Sequence, residues 1–378
     1  MTDSRLVFTE GDAEKSLRWQ SEAGSPPPKR VIVADDTLSG DSAFRLASEG
    51  TGLLWRSDFK NARQLLQALA RRVDRKPRKP PATMRDAFNQ YRLAQSQRAR
   101  TLGMLLIPFE AGHVIPLRRA PDVAEACTQA HGEATEPYVS SLRELLGIIS
   151  AYEWRRNGVE VPALGARIHP HYGVFSPVRG EYVDLVAKAP LPAAQKTDAT
   201  AFDIGTGTGV LAAVLAKRGF TRVIATDQDP RALACARDNV ERLGLQAQID
   251  VVSTDLFPPG RAPLVVCNPP WLPARPASPL EHAVYDPDSR MVRGFLAGLA
   301  DHLSPGGEGW LILSDFAEHL GLRTRDELNA WIDAAGLKVL GRLDAKPRHP
   351  KAADETDPLH AARAAEVTTL WRLRVRGD

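Results

Sequence analysis

Cysteine is scarce in this chain. Cys127, Cys235 and Cys267 are the only three in 378 residues, far apart and without a CxxC pair. That argues against a zinc site or a disulfide framework and fits a reducing compartment, so the cytoplasm is the expectation. No run approaches the roughly 18 consecutive apolar residues of a membrane span, so no membrane partner is expected. Residues 1–15 show no basic stretch followed by an apolar core, and no signal peptide is expected. At 43% hydrophobic and 25% charged residues the composition is that of a globular protein, long enough for one large domain or two modest ones.

The net charge of +3 is unevenly distributed. Residues 60–100 hold twelve Lys and Arg against Asp74 and Asp86, +10 for the segment, which leaves −7 for the rest. A concentrated basic segment suits a phosphate-bearing partner such as RNA. A solvated helical face with a basic loop explains it equally well.

Residues 1–30 end in Ser25-Pro26-Pro27-Pro28-Lys29-Arg30 and have the texture of a polar leader. Residues 31–165 have the texture of a mainly helical domain, available for substrate recognition. Leu65, Leu66, Leu69 and Val73 fall at helical spacing, as do Leu142, Leu145, Leu146, Ile149 and Tyr152. From residue 166 to 378 short apolar runs alternate with helical patterns. Ala201–Ile204, Val223–Thr226, Ile249–Val252, Leu264–Cys267 and Trp310–Leu313 suit strands buried on both faces of a parallel sheet. Alternation of this kind predicts a doubly wound, Rossmann-like α/β fold. Two late strands, Lys338–Leu343 and Thr368–Val375, are expected as an antiparallel pair closing its edge.

The loop Gly205-Thr206-Gly207-Thr208-Gly209 joins the first of these strands to a helix. Glycines permit a sharp turn and a close approach of a ligand to the main chain, and the helix N-terminus points at that ligand. The spacing is G-x-G-x-G, with Val210 where a dinucleotide fingerprint nears its third glycine. Asp203, just before the loop, would repel a pyrophosphate but can pair with an ammonium, which disfavours a nicotinamide cofactor. Asp227 ends the second strand, 24 residues past Asp203, where a carboxylate suits two ribose hydroxyls. Asp229 reads as a helix cap. Asp255, with Leu256 and Phe257, ends the third strand and can accept from an adenine amine. A loop cap is the plainer role for it.

Asn268-Pro269-Pro270-Trp271 follows the fourth strand. The prolines stiffen the backbone, so the Asn268 side chain and the Pro269 carbonyl can both accept from one NH₂ group, with Trp271 as a stacking face. An amide or aromatic amine nitrogen has a delocalised lone pair. Two acceptors on its hydrogens would raise its electron density and aim it.

On these motifs, residues from about 170 to 375 resemble class I S-adenosylmethionine (SAM)-dependent methyltransferases. The closer likeness is to the branch with an (Asn/Asp)-Pro-Pro-aromatic motif: HemK/PrmC-type release-factor glutamine methyltransferases, ribosomal-protein glutamine methyltransferases and adenine amino-methyltransferases. The resemblance implies a mostly parallel seven-stranded sheet with an antiparallel last strand. It implies that Asp203, Gly205, Thr206, Gly207 and Gly209 line the methionine and ribose side of SAM, that Asp227 holds the ribose, and that Asp255 with Leu256 holds the adenine. It implies that Asn268, Pro269, Pro270 and Trp271 grip the target nitrogen, with Asn268 also beside the cofactor. Tyr172-Gly173-Val174-Phe175-Ser176-Pro177 resembles a stretch of small-domain ribosomal RNA methyltransferases, which implies that Phe175 and Pro177 help roof the pocket. The fourth motif residue is Trp rather than the commoner Tyr, and the HemK-type Pro-Arg-x-Glu stretch is represented only by Pro177-Val178-Arg179-Gly180-Glu181.

The expectation is therefore nitrogen methylation of RNA or of a translation protein, leaving S-adenosylhomocysteine as product and needing no metal. The alternatives are a SAM- or RNA-binding module without turnover and a glutamine methyltransferase acting on a release factor or ribosomal protein. His169 and His171 have no third ligand at suitable spacing and read as loop residues, and Cys267 reads as core packing.

Overall fold

The structure, a computed structural model, describes residues 4–75, 80–178, 180–276, 281, 283–347 and 354–377. Residues 76–79 of the basic segment, and Arg179, lie outside them. The chain divides into two compact units. One holds residues up to Pro81 with Asn89–Glu153; the other holds Ala82–Phe88 and the chain from Trp154 onward. The division thus falls some residues before the change of texture at 165/166.

The first unit contains β1 (Arg5–Glu10), β2 (Ala13–Trp19), β3 (Arg30–Ala34), α1 (Gly40–Ser48), β4 (Thr51–Trp55), α2 (Phe59–Asp74), most of α3 (Met84–Leu102), β5 (Leu105–Phe109), α4 (Ala124–His131), β6 (Tyr138–Ser141) and most of α5 (Leu142–Asn157). It is rich in helix, as expected, but it is built on a six-stranded sheet in the order β1-β2-β6-β5-β4-β3, which the sequence reading lacked. The stretch expected as a polar leader differs likewise: within residues 4–30, β1 and β2 pair antiparallel. The reason is one-sided burial. In β1 only Leu6 and Phe8 are buried, and β2 has no buried residue, so both strands look polar in the sequence. The apolar stripe of α2 is as expected, with Leu65, Leu66 and Leu69 buried beside Phe59 and Ala62.

The second unit opens with a hairpin of β7 (Val159–Val161) and β8 (Ala166–Ile168). There follow α6 (Glu181–Lys188), β9 (Thr200–Ile204), α7 (Val210–Lys217), β10 (Arg222–Asp227), α8 (Pro230–Arg242), β11 (Ile249–Ser253), β12 (Ala262–Cys267), α9 (Arg290–His302), β13 (Leu303–Ser314), α10 (Phe316–His319), α11 (Arg325–Ala334), β14 (Leu337–Ala345), α12 (His360–Ala365) and β15 (Thr368–Val375). The seven long strands form one sheet in the order β11-β10-β9-β12-β13-β15-β14. β9 to β13 pair in parallel, and β15, the last strand, runs antiparallel to both of its neighbours. The late antiparallel pair is present, with β14 at the edge and β15 inserted beside β13.

Successive side chains on a strand point to opposite faces. Ala201, Val266, Trp310 and Ile312 accordingly join the core beneath α6 and α7, with Val186, Leu211 and Val214. Phe202, Val265, Leu311 and Leu313 join the opposite core, with Val292, Phe295 and Leu299 of α9 and Leu328 and Ile332 of α11. Burial on both faces is why these strands are unbroken apolar runs. It leaves the strand ends as the place for polar chemistry.

Candidate functional site

The strand order reverses between β9 and β12, and a ligand crevice is expected at the C-terminal ends there. Register places these ends level. Ile204 stands opposite Thr226 on one side and Cys267 on the other, and Asp227 stands opposite Ser253. Gly205, Asp227, Thr254 and Asn268 thus leave the sheet along one line.

The three loop glycines all have left-handed backbones, at φ 71°, 55° and 80° for Gly205, Gly207 and Gly209. Their surroundings differ. A β-carbon on Gly205 would collide with the methyl group of Met291, and one on Gly209 would lie in van der Waals contact with Ala236 of α8 at 3.4 Å. A β-carbon on Gly207 would meet nothing within 4 Å. Gly207 is therefore the open point of the loop, where a ligand can lie on the main chain.

Asp203 is 1% exposed, and its Oδ2 accepts from Thr206 Oγ1 at 2.6 Å and from the Ala212 amide at 3.0 Å. Its carboxylate thus ties the loop to the first turn of α7. This corrects the expected pairing with a ligand ammonium. Burial pushes its pKa up to about 6, against the pull of those two hydrogen bonds. Asp227 Oδ2 accepts from the Gly207 amide at 3.0 Å, and its Oδ1 from the Asp229 amide at 3.0 Å. Burial raises its pKa as well. Asp229 caps α8 through the Arg231 amide, as expected.

Asp255 is exposed, and Arg290 Nη2 donates to its Oδ2 at 2.7 Å. Leu256, at φ 65°, turns its carbonyl to accept from the buried Thr226 hydroxyl at 2.7 Å. The motif after β12 is held from within: Trp271 Nε1 donates to Asn268 Oδ1 at 3.0 Å. The half-buried Trp271 also packs against both core clusters. The indole takes one lone pair of Asn268 Oδ1 and leaves the other. Pro269 is buried and Pro270 half-buried. Phe175 is exposed, Pro177 is buried, and Ser176 Oγ between them is buried with no hydrogen-bond partner among the described residues.

The sequence reading missed residues 286–291. The buried Asp286 accepts from the Met291 and Val292 amides at 3.0 and 3.3 Å, and its own amide donates to the Leu272 carbonyl at 2.8 Å. Asp288 and Ser289 follow at φ 56° and 52°, two successive left-handed residues that are not glycine. Such strain persists only where the surroundings hold it. Here it seats the start of α9 so that Arg290 reaches Asp255 and Met291 reaches Gly205. The one sequence signal is Asp286-Pro287, a cap residue followed by Pro. Its partners lie too far along the chain to show in a local pattern.

The histidines are structural. His171 Nε2 bonds Asp238 at 2.9 Å and His169 Nδ1 donates to the Arg155 carbonyl at 2.7 Å. Asn239 of α8 fastens this segment to the glycine loop, donating to the His169 and Thr208 carbonyls at 3.2 and 3.1 Å. Among the described residues no group of three or more His, Cys, Asp or Glu could hold a metal ion. Cys267 is fully buried, and burial raises its thiol pKa.

Residues 165–329 match the family described as methyltransferase small domain. This part of the chain is thus similar to methyltransferase small domains. The chain is 40% identical over 114 residues to the release factor glutamine methyltransferase of Cereibacter sphaeroides, covering 29% of this chain and 37% of that protein. It is 33% identical over 154 residues to the ribosomal protein L11 methyltransferase of Pelotomaculum thermopropionicum, covering 37% of this chain and 44% of that protein. The chain thus spans less than half the length of these relatives. Among solved structures, a methyltransferase from Pyrococcus furiosus is 18% identical with a TM-score of 0.38, covering 62% of this chain and 98% of that one.

Proposed function

We infer that the second unit is a SAM-dependent enzyme that methylates a planar nitrogen, in the first place a side-chain amide of a protein of the translation machinery. The observation that carries this is the position of Asn268-Pro269-Pro270-Trp271. It leaves β12 level with the glycine loop, so an amide gripped by the one lies beside a ligand bound on the other. The named relatives, one acting on release factors and one on ribosomal protein L11, support the choice of substrate.

The residues fit SAM. The open side of Gly207 admits it, with Gly205, Thr206 and Gly209 shaping the loop. Asp227 stands at the strand end for the ribose hydroxyls, and Asp255 with Leu256 for the adenine. The 175–177 stretch, with its unpartnered Ser176 Oγ, serves as the roof. When bound, SAM supplies an electrophilic methyl group. Asn268 Oδ1 and the Pro269 carbonyl accept the two hydrogens of the target NH₂, which fixes its plane and raises electron density on nitrogen. Trp271 fixes Asn268. Asp203, buried and tied to the loop, positions Thr206 and the α7 turn.

The test is methyl transfer from radiolabelled SAM into an extract of cells lacking this gene, fractionated by protease and ribonuclease, with Asn268→Ala alongside. Protease-sensitive label that disappears with Asn268→Ala is expected. Ribonuclease-sensitive label would replace the protein amide by an RNA amine. Absence of label despite SAM binding would leave a binding module without turnover. If NAD raises the melting midpoint and SAM does not, the cofactor assignment falls.

A further inference from the structure

The first unit carries a cationic ridge that the methyltransferase chemistry does not use. Most cations of this unit are paired. Arg56 holds Glu10 at 2.8 Å, Arg72 holds Asp41 at 2.8 Å and Arg98 holds Asp74 at 3.0 Å. Lys60, Arg63, Arg71 and Arg75 differ: all four are exposed, and none has an ion-pair partner among the described residues. At 100° per residue they fall on one face of α2, together with the exposed Gln64 and Gln67. From Lys60 to Arg75 the face runs about 22 Å.

At the head of this helix stands a prepared pair of guanidiniums. Asp58, the N-cap of α2, is 1% exposed. Its Oδ1 accepts from the Lys60 amide at 2.9 Å. Its Oδ2 accepts from Arg118 Nε at 2.8 Å and Arg119 Nε at 2.6 Å. Both arginines are thus anchored through Nε on one carboxylate, and their terminal nitrogens have no partner among the described residues. Arg119 accepts a left-handed backbone, φ 58°, to take this position. Asp36 also stands here, bonded by Ser57 and by Asn61, and balances part of the charge. With Asp58 and Asp36 set against Arg118 and Arg119, the four free cations of α2 remain in excess.

We propose that this ridge, from the Arg118–Arg119 pair along the Lys60, Arg63, Arg71 and Arg75 face of α2, binds the phosphate backbone of RNA. A guanidinium held at Nε keeps its outer edge for two parallel bonds to a phosphate. Cations interspersed with glutamine donors, in line and with Asp74, the one acid on this face of α2, held by Arg98, suit a linear polyanion. A protein partner would require apolar anchors at the centre of its interface, and the exposed positions named on this face carry none. The proposal goes beyond the catalytic reading and does not depend on it, because binding is read without SAM.

The experiment is fluorescence anisotropy of a labelled unstructured RNA oligonucleotide against the full chain across a salt series. Lys60→Gln, Arg63→Gln and Arg71→Gln, combined, should weaken binding at least tenfold. They should also lower the slope of log affinity against log salt by about 0.7 for each phosphate no longer neutralised. Arg118→Gln should weaken binding similarly, with circular dichroism confirming that the capped helix persists. Arg45→Gln removes the same charge from a site paired with Glu49 on α1 and should change binding less than twofold. Equal losses in Arg45→Gln and the ridge variants would show a diffuse response to net charge and overturn the proposal. So would binding unchanged in the triple variant. Displacement of RNA by polyglutamate at equal charge would overturn it in favour of an acidic polypeptide partner.

Discussion

The indole N–H of Trp271 donates to Asn268 Oδ1 at 3.0 Å, so the aromatic end of the motif holds its polar beginning. Trp271→Phe keeps a ring in the core but removes this donor. A hydrogen bond of this kind contributes about 1 kcal/mol. Methyl transfer is expected to fall about fivefold, with SAM affinity within about twofold of wild type. Asn268→Ala removes an acceptor from the target itself and should cost about 10²–10³-fold in turnover. Single-turnover rates with titration of SAM by calorimetry measure both. Wild-type turnover in Trp271→Phe would remove Trp271 from the positioning of Asn268.

Arg290 competes for the carboxylate assigned to adenine. The pair with Asp255 is exposed on both sides, so its contribution to stability is below about 1 kcal/mol. Arg290→Ala should leave the melting midpoint nearly unchanged and tighten SAM binding a few-fold. Asp255→Ala should weaken it. If Arg290→Ala weakens SAM binding, the arginine is a ligand contact and not a competitor.

Gly207 and Gly209 separate ligand binding from folding. Alanine at Gly207 meets open space, so it costs only the left-handed backbone, about 1–2 kcal/mol, while placing a methyl group on the ligand side. SAM affinity should fall at least tenfold in a folded protein. Alanine at Gly209 fits in ordinary contact with Ala236 of α8, away from the open side of the loop, so it should cost a similar left-handed strain and leave SAM affinity nearly unchanged. Urea unfolding and SAM titration on the two variants check this. Equal SAM affinity in Gly207→Ala and wild type would move the cofactor off the loop.

Asp203 gives a pH dependence of defined sign. Its folded pKa, about 6, lies above the ordinary 3.8. The folded state therefore binds this proton more tightly than the unfolded chain. The contribution is fully present below the ordinary value and is lost as pH rises through the folded one. Relative to Asp203→Asn, wild type should lose about 2–3 kcal/mol between roughly pH 4 and pH 6.5. Parallel urea curves for the two proteins across that range decide it. A constant difference would mean that the folded and unfolded pKa values coincide.

The chemistry was legible where it depends on local pattern. Apolar runs give the parallel strands, buried on both faces in β9, β12 and β13 but not in the edge strand β11, where Ile249 alone is buried, and the glycine loop lies at the end of the first of them. Asp227, Asp255 and Asn268 follow at the ends of the next three, because each crossover returns the chain to the same edge of the sheet. Asp229-Pro230 at the start of α8 was legible for the same reason: a cap acts within one turn. The six-stranded sheet of the first unit was not legible, because β1 and β2 bury at most one face and Leu6 and Phe8 alone do not outweigh their polar neighbours. Long-range partners were beyond any local pattern. The Arg290–Asp255 pair and the anchoring of Arg118 and Arg119 on Asp58 join residues 35 to 61 positions apart. The sequence by itself determined which residue types stand at the strand ends. Only the tertiary structure decided which of their atoms are already bonded and which remain for a ligand, because that depends on what the rest of the chain packs against them.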